Sequence, residues 1–142
     1  MDREVIEQKL ESLRRSIRRI QGACPIHADQ LAQNLDAQDI VTLNLTRAVQ
    51  LAVDIGTHIL SSAEQSAPVT MGETFLRLCE LSMIDEALAT HLKKAVGFRN
   101  IAIHHYEAID WAIVHAIARE RLGDFADFAS AVTRWLDRPM TA

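Results

Sequence analysis

The densest group of chemically reactive side chains lies in the segment 97–106, Gly-Phe-Arg-Asn-Ile-Ala-Ile-His-His-Tyr. It combines Arg99 and Asn100 with His104 and Tyr106. Arginine binds phosphate oxygens through two parallel N–H donors, and histidine exchanges a proton near neutral pH. These residue types at this spacing are suited to binding a phosphate group and moving a proton beside it. A structural interpretation is also open, in which Arg99 and His104 bind helix-end carbonyls and Tyr106 packs in the core.

The segment ends a predicted helix whose N-cap is Asp85. On a regular helix, Arg99 and His104 lie about 140° apart around the axis, whereas Asn100 and His104 lie only about 40° apart. Arg99 and His104 therefore do not share one face of the helix. Within one chain, the two side chains meet at one site only if the helix unwinds before His104.

The rest of the chain predicts further helices, because apolar residues recur at spacings of three and four. No alternating run bounded by turn residues predicts a strand. The linker 29–37 has room for a short turn of helix. We therefore predict an all-α, up-and-down bundle of about five to six helices in a single domain spanning 1–142. The predicted helices cover about 2–21, 39–63, 72–81, 85 into the motif, 111–121 and 123–139.

The second long helix, 39–63, is apolar around most of its circumference but carries one polar stripe. Asn44, Arg47, Asp54 and His58 lie on this stripe at helical spacing. A helix of this kind is buried, and buried charges need partners. The stripe predicts either an internal pairing of Arg47 with Asp54 or a face that borders a polar cleft or a subunit interface.

Composition narrows the class of protein. The chain has 142 residues, of which 49% are hydrophobic and 24% charged, as expected for a globular domain. Its net charge of −4 argues against a protein that coats nucleic acid generally, but not against local binding of phosphate. A basic cluster ends the first helix and predicts either a solvated helix terminus or a binding surface; it comprises Arg14, Arg15, Arg18 and Arg19.

The cellular setting is predicted from what the sequence does not contain. No signal-peptide pattern and no membrane-length apolar segment occur, which predicts a cytoplasmic protein that does not enter the membrane. Cys24 and Cys79 form neither a disulfide framework nor a metal pattern. Neither a zinc-ligand motif nor a glycine-rich phosphate loop is present, and we predict no metal and no cofactor.

The motif and the second long helix together resemble the HEPN superfamily, and within it the HepT-like toxins of bacterial and archaeal toxin–antitoxin pairs. The residues that carry the resemblance are Arg99-Asn100-Ile101-Ala102-Ile103-His104-His105-Tyr106, the preceding 93–98, and the runs 44–48 and 54–59. The order of helices is similar as well, so the resemblance covers most of the chain. His105 departs from the pattern, because an acidic or other polar residue is commoner at that position.

The resemblance implies metal-independent RNA cleavage by a homodimer whose two motifs meet at a cleft between the subunits. In such a dimer Arg99 can complete its site with His104 of the partner subunit, and we favour this shared site over a helix that unwinds before His104. In such a reaction the ribose 2′-hydroxyl attacks the adjacent phosphate. His104 then carries the proton, and Arg99 binds the phosphate and stabilises the transition state. Asn100 orients His104 or binds the phosphate, and Tyr106 donates a hydrogen bond or stacks on a base.

The resemblance also implies a partner, a nucleotidyltransferase antitoxin that modifies Tyr106 with AMP. A bulky anionic group there would block the cleft and repel RNA. The alternative function is a non-catalytic helical subunit that binds a nucleotidyltransferase and presents nucleotide or substrate to it. The fold does not separate the two functions, because one fold serves several functions.

Overall fold

The computed structural model describes residues 2–139. Within that range the chain forms seven α-helices and one 3₁₀ turn, and no β-strand. The predicted all-α helical bundle is confirmed, and the linker before the second long helix adds a short helix of its own. The elements are α1 (Arg3–Ala23), α2 (Ala28–Ala32), α3 (Leu35–Ser62), α4 (Met71–Glu80), α5 (Glu86–His104), the 3₁₀ turn (Tyr106–Ala108), α6 (Trp111–Glu120) and α7 (Gly123–Asp137).

Helix α3 forms the centre of the bundle, because it is apolar around most of its circumference. It packs against α1 along much of its length and also contacts α4, α5 and α6. Helix α1 contributes a single apolar stripe at helical spacing, which faces the core. The buried apolar residues of this stripe are Ile6, Leu10, Leu13 and Ile20.

Side-chain caps determine where the helices begin. The predicted N-caps Asp85 and Asp110 are confirmed, since their carboxylates accept hydrogen bonds from backbone N–H groups in the first turns of α5 and α6. Helix α3 begins at Leu35 rather than at the predicted Asp39. The reason is Asn34, whose side chain accepts a hydrogen bond from a first-turn N–H and caps the helix one turn earlier.

Helix α4 comes very close to α3 at Gly56. A Cβ atom at this position would lie 2.7 Å from Thr74 Cγ2 and 3.0 Å from Leu78 Cδ1. Distances this short leave no room for a methyl group in a packed interior. Helix α4 also packs against α5, and its Phe75 ring meets Phe128 of α7 edge-on, with 5.9 Å between ring centroids. The approach at Gly56 therefore allows α4 to pack closely on α3, and α4 in turn contributes to the packing of α5.

The two cysteines are free thiols. Cys24 is buried, and this burial raises the pKa of its thiol. No helix within residues 2–139 combines the length and the apolar composition needed to span a membrane.

Candidate active site

Helix α5 carries the motif as far as its last residue, His104. Helical hydrogen bonding continues through this end, since the His105 N–H donates to the Ile101 carbonyl at 2.8 Å. The helix does not unwind before His104, so the alternative that placed a break there is wrong. The side chains of Arg99 and His104 therefore leave the helix about 140° apart.

The Arg99 guanidinium is bound by neutral amides and by no carboxylate within residues 2–139. Its Nη2 donates to Gln50 Oε1 at 3.3 Å, and its Nη1 donates to Asn100 Oδ1 at 3.2 Å. Its Nε is buried and has no hydrogen-bond partner in the same range. Amide oxygens leave the positive charge in place, and a buried donor without a partner costs free energy. The guanidinium is therefore arranged to bind an anion.

Gln50 of α3 is oriented in turn by Asp54, which lies one turn further along the helix. The Gln50 Nε2 donates to Asp54 Oδ1 at 2.9 Å. Lys9 Nζ of α1 lies 3.8 Å from Asp54 Oδ2. With its NH₂ group bound to a carboxylate, the amide presents its oxygen to Arg99. This series of contacts connects α1, α3 and α5 at the site.

The other members of the α3 stripe do not take part in this series. Arg47 is exposed and forms no ion pair within residues 2–139, so the predicted internal pairing of Arg47 with Asp54 is wrong. Asn44 is buried, and its Nδ2 donates to the Ile40 carbonyl at 2.8 Å. Asn44 and Arg47 line a polar groove between α1 and α3. His58 lies exposed at the far end of the stripe.

Tyr106 follows α5 on the 3₁₀ turn and is 44% exposed, so the interpretation that packs it in the core is wrong. Its hydroxyl donates to Asp39 Oδ1 at 3.4 Å, and its ring meets Trp111 edge-on with 6.0 Å between centroids. Partial burial raises the pKa of the Tyr106 phenol, and the charge of the Asp39 carboxylate raises it further. The phenol is protonated at neutral pH and accessible from solvent.

His104 and His105 are both exposed, and neither side chain forms a hydrogen bond within the described part of the chain. Asn100 binds Arg99 and forms no hydrogen bond with His104. The structure therefore brings Arg99 and Asn100 together but links neither of them to His104 by a hydrogen bond. Among residues 2–139, no group of three or more His, Cys, Asp or Glu side chains is placed to hold a metal ion.

A family model described as Ribonuclease HepT-like matches residues 13–132 of the chain. The chain belongs to this family. The predicted resemblance to the HepT-like toxins is thereby confirmed. The chain is 33% identical to the mRNA nuclease HepT of Shewanella oneidensis over 131 residues, which make up 91% of this chain and 96% of that protein. It is 29% identical to the tRNA nuclease HepT of Aphanizomenon flos-aquae over 106 residues, or 75% of this chain and 72% of that one.

The fold of this HepT-like chain matches a solved structure as well. That structure contains the tri-AMPylated HEPN toxin of Shewanella oneidensis in complex with an MNT antitoxin. The TM-score is 0.86 at 32% sequence identity, and the match covers 94% of this chain and 98% of that chain.

Two residues around the HepT-like motif were not predicted as site residues from the sequence. Gln50 lies three positions after Arg47 and four before Asp54, so helical spacing alone assigns it to the stripe. Its contact with Arg99, 49 positions away, has no sequence signal. The sequence predicts Asp39 only as a helix start, whereas in the structure its carboxylate accepts the hydrogen bond of the Tyr106 hydroxyl.

Proposed function

We propose that this HepT-like chain is the toxin of a toxin–antitoxin pair and cleaves RNA as a metal-independent endoribonuclease. The observation that carries the proposal is Arg99, whose guanidinium has no carboxylate partner within residues 2–139 and whose buried Nε has no acceptor there. A phosphodiester supplies both the negative charge and the acceptor oxygens. The relatives named for mRNA and tRNA support RNA as the substrate class.

In the proposed reaction the ribose 2′-hydroxyl attacks the adjacent phosphorus atom. The O2′–P bond forms while the P–O5′ bond breaks, the 2′-hydroxyl gives up its proton, and the departing O5′ takes one up. The products are a 2′,3′-cyclic phosphate and a 5′-hydroxyl end. His104 moves the proton, and Arg99 stabilises the charge that grows on the phosphate oxygens. Asn100 and Gln50 position Arg99 for this contact.

A homodimer completes the site in this proposal, with Arg99 of one subunit and His104 of the partner subunit facing the same phosphate. The uninterrupted helix supports it, because the two side chains diverge within one chain. The test is a mixed dimer of an Arg99→Ala chain and a His104→Ala chain, purified through two different tags. A shared site predicts about half of the wild-type activity, because one of the two symmetric sites is intact. An inactive mixed dimer contradicts sharing.

A nucleotidyltransferase antitoxin neutralises the nuclease by transferring AMP to Tyr106. The phenol oxygen attacks the α-phosphorus of ATP, pyrophosphate departs, and the phenolic proton is released. The exposed hydroxyl, two positions after His104, supports this modification. So does the solved relative, a tri-AMPylated toxin held by its MNT antitoxin. An added phosphodiester beside His104 repels RNA phosphate.

Intact-mass measurement after incubation with the antitoxin and ATP tests the modification. We expect an adduct of one or more AMP units on the wild-type chain and none on Tyr106→Phe. A wild-type mass that stays unchanged contradicts it.

The experiment that decides the main proposal is cleavage of cellular RNA by the purified chain in excess chelator. The matched pair of variants is His104→Ala and His105→Ala, because the two histidines are neighbours and neither side chain has a hydrogen-bond partner within residues 2–139. We expect cyclic phosphate ends, a loss of about 10²–10⁴-fold in His104→Ala and near wild-type activity in His105→Ala. Equal loss in both variants contradicts the role of His104.

The second candidate function is a non-catalytic helical subunit that presents nucleotide or substrate to a nucleotidyltransferase. The net charge of −4 favours it, because a protein that binds nucleic acid is usually basic. Folded, unmodified protein that cleaves no cellular RNA while it binds a nucleotidyltransferase would support this candidate.

A further inference from the structure

The arginines in the second half of α1 fall into two groups that differ in their partners. Arg14 and Arg18 pair with Glu11, at 3.9 Å and 3.2 Å. Arg15 and Arg19 are exposed and form no ion pair within residues 2–139. They lie one helical turn apart on one face, where two like charges repel each other. The fold therefore leaves this pair of charges uncompensated.

A groove of about 540 Å³ lies between this face of α1 and helix α3. Arg47 lines it from the α3 side and likewise forms no ion pair within residues 2–139. Of the residues that the structure describes, no carboxylate lines the groove, although the chain as a whole has a net charge of −4. The remaining lining residues are Ser12, Ser16, Asn44, Gln50 and Leu51.

Gln50 connects this groove to the candidate active site. It lines the groove, and its Oε1 accepts the hydrogen bond from Arg99 at 3.3 Å. An anion bound at Arg99 alone leaves the groove arginines without a partner. A strand with one phosphate per nucleotide supplies anions to both places, and phosphate contacts dominate the affinity of proteins for nucleic acid.

We propose that Arg15, Arg19 and Arg47 form a phosphate track, which binds the RNA backbone on one side of the scissile phosphate. This inference rests on the proposed function. Backbone contacts add affinity without reading sequence, so the track acts on KM and not on kcat. Each contact with single-stranded RNA also contributes about 0.7 to the slope of log affinity against log salt concentration.

The test compares two double variants that remove the same charge. The track variant is Arg15→Gln/Arg19→Gln, and the control variant is Arg14→Gln/Arg134→Gln, whose exposed arginines line a different groove, between α1 and α7. With a long RNA, the track variant should raise KM about tenfold and reduce the salt slope by about 1.4, with kcat unchanged. The control variant should change KM less than about twofold. A dinucleotide substrate, which is too short for the track, should be cleaved equally by both.

Binding of labelled single-stranded RNA, measured by fluorescence anisotropy in a His104→Ala background, separates this inference from the proposed function. If the wild type cleaves nothing, the nuclease proposal fails, yet weaker binding by the track variant alone still supports the track. Adding Arg47→Gln to the His104→Ala chain should weaken binding about threefold, since it removes one contact. Equal RNA affinity in the track and control variants overturns the inference. So does a track variant that binds RNA normally but loses its antitoxin, which would identify a protein-binding surface.

Discussion

The first half of α5 and its last turn lie in opposite surroundings. In the first half, Ala89, Leu92 and Val96 are buried at spacings of three and four residues. In the last turn, every residue from Asn100 to His104 is exposed except Ala102. The buried part holds the helix in the bundle, whereas the residues after it contribute little to the core, and Arg99 between them contacts α3 through a polar hydrogen bond to Gln50. Stability and the proposed activity are therefore separated along one helix, and substitutions at its two ends should affect different measurements.

The largest effect is expected for Arg99→Ala. It should lower kcat by about 10³-fold, because the charge that we propose to stabilise the transition state is lost. The free energy of unfolding, measured by chemical denaturation, should change by less than about 1 kcal/mol. Arg99→Lys is the control, since it keeps the charge without the planar guanidinium, and it should restore part of the activity. A large loss of stability in Arg99→Ala would contradict the separation of stability and activity along α5.

Seven positions earlier on the same helix, Leu92→Ala should show the opposite pattern. Leu92 is 1% exposed, and its truncation leaves a cavity that should cost about 3 kcal/mol of unfolding free energy. The kcat of the protein that remains folded, measured at low temperature, should stay close to the wild-type value. A kcat that falls in proportion to stability would show that the two halves of the helix are not independent.

Substitutions of Gln50 should affect both activity and stability, because Gln50 belongs to α3 but binds Arg99 of the motif. Gln50→Leu removes the acceptor of Arg99 and should lower kcat about tenfold, at a stability cost of about 1 kcal/mol. Gln50→Glu is the informative companion, since a carboxylate there pairs with Arg99 and competes with the substrate phosphate. Higher activity in Gln50→Glu than in Gln50→Leu would contradict the role assigned to the uncompensated charge.

The smallest effect on activity is expected for Asp39→Asn on α3, whose carboxylate accepts the hydrogen bond of Tyr106 just beyond the end of α5. Loss of the carboxylate should lower the pKa of the Tyr106 phenol, because part of its rise comes from Asp39. Tyr106 is the only tyrosine in the chain, so ultraviolet absorbance reports its ionisation directly. Because the folded-state pKa is raised, the stability that Tyr106 contributes is present below its ordinary value of about 10 and declines as pH rises through the folded value. A phenol pKa that stays unchanged in Asp39→Asn would contradict this account.

The sequence predicted those parts of the molecule that depend on local pattern. Apolar spacing predicted the helices, and Asp85 and Asp110 predicted the starts of α5 and α6, because a cap acts on its own first turn. The start of α3 was missed because Asn34 caps it from within a polar segment that has no apolar period. Helix α2 was not predicted as a separate helix, because five residues are too few to show an apolar period.

The site was predicted only where its residues are neighbours in sequence. Arg99, Asn100, His104 and Tyr106 fall within eight positions, and their types indicate a phosphate and a proton. The contact of Gln50 with Arg99 joins α3 to α5 across 49 positions, and its geometry depends on how the two helices pack. The relative position of two packed helices depends on the whole tertiary structure, so no local sequence pattern predicts this contact.

The close approach of α3 and α4 at Gly56 has a consequence for genetics. A methyl group there pushes α4 away from α3, and α5 packs against α4, so the motif is displaced as well. In a selection for chains that have lost the proposed RNA cleavage, surviving mutations should therefore fall in two places. One is the motif itself, and the other is Gly56 with the α4 residues that face it, where the lesion is a shift in position rather than the loss of a reactive group.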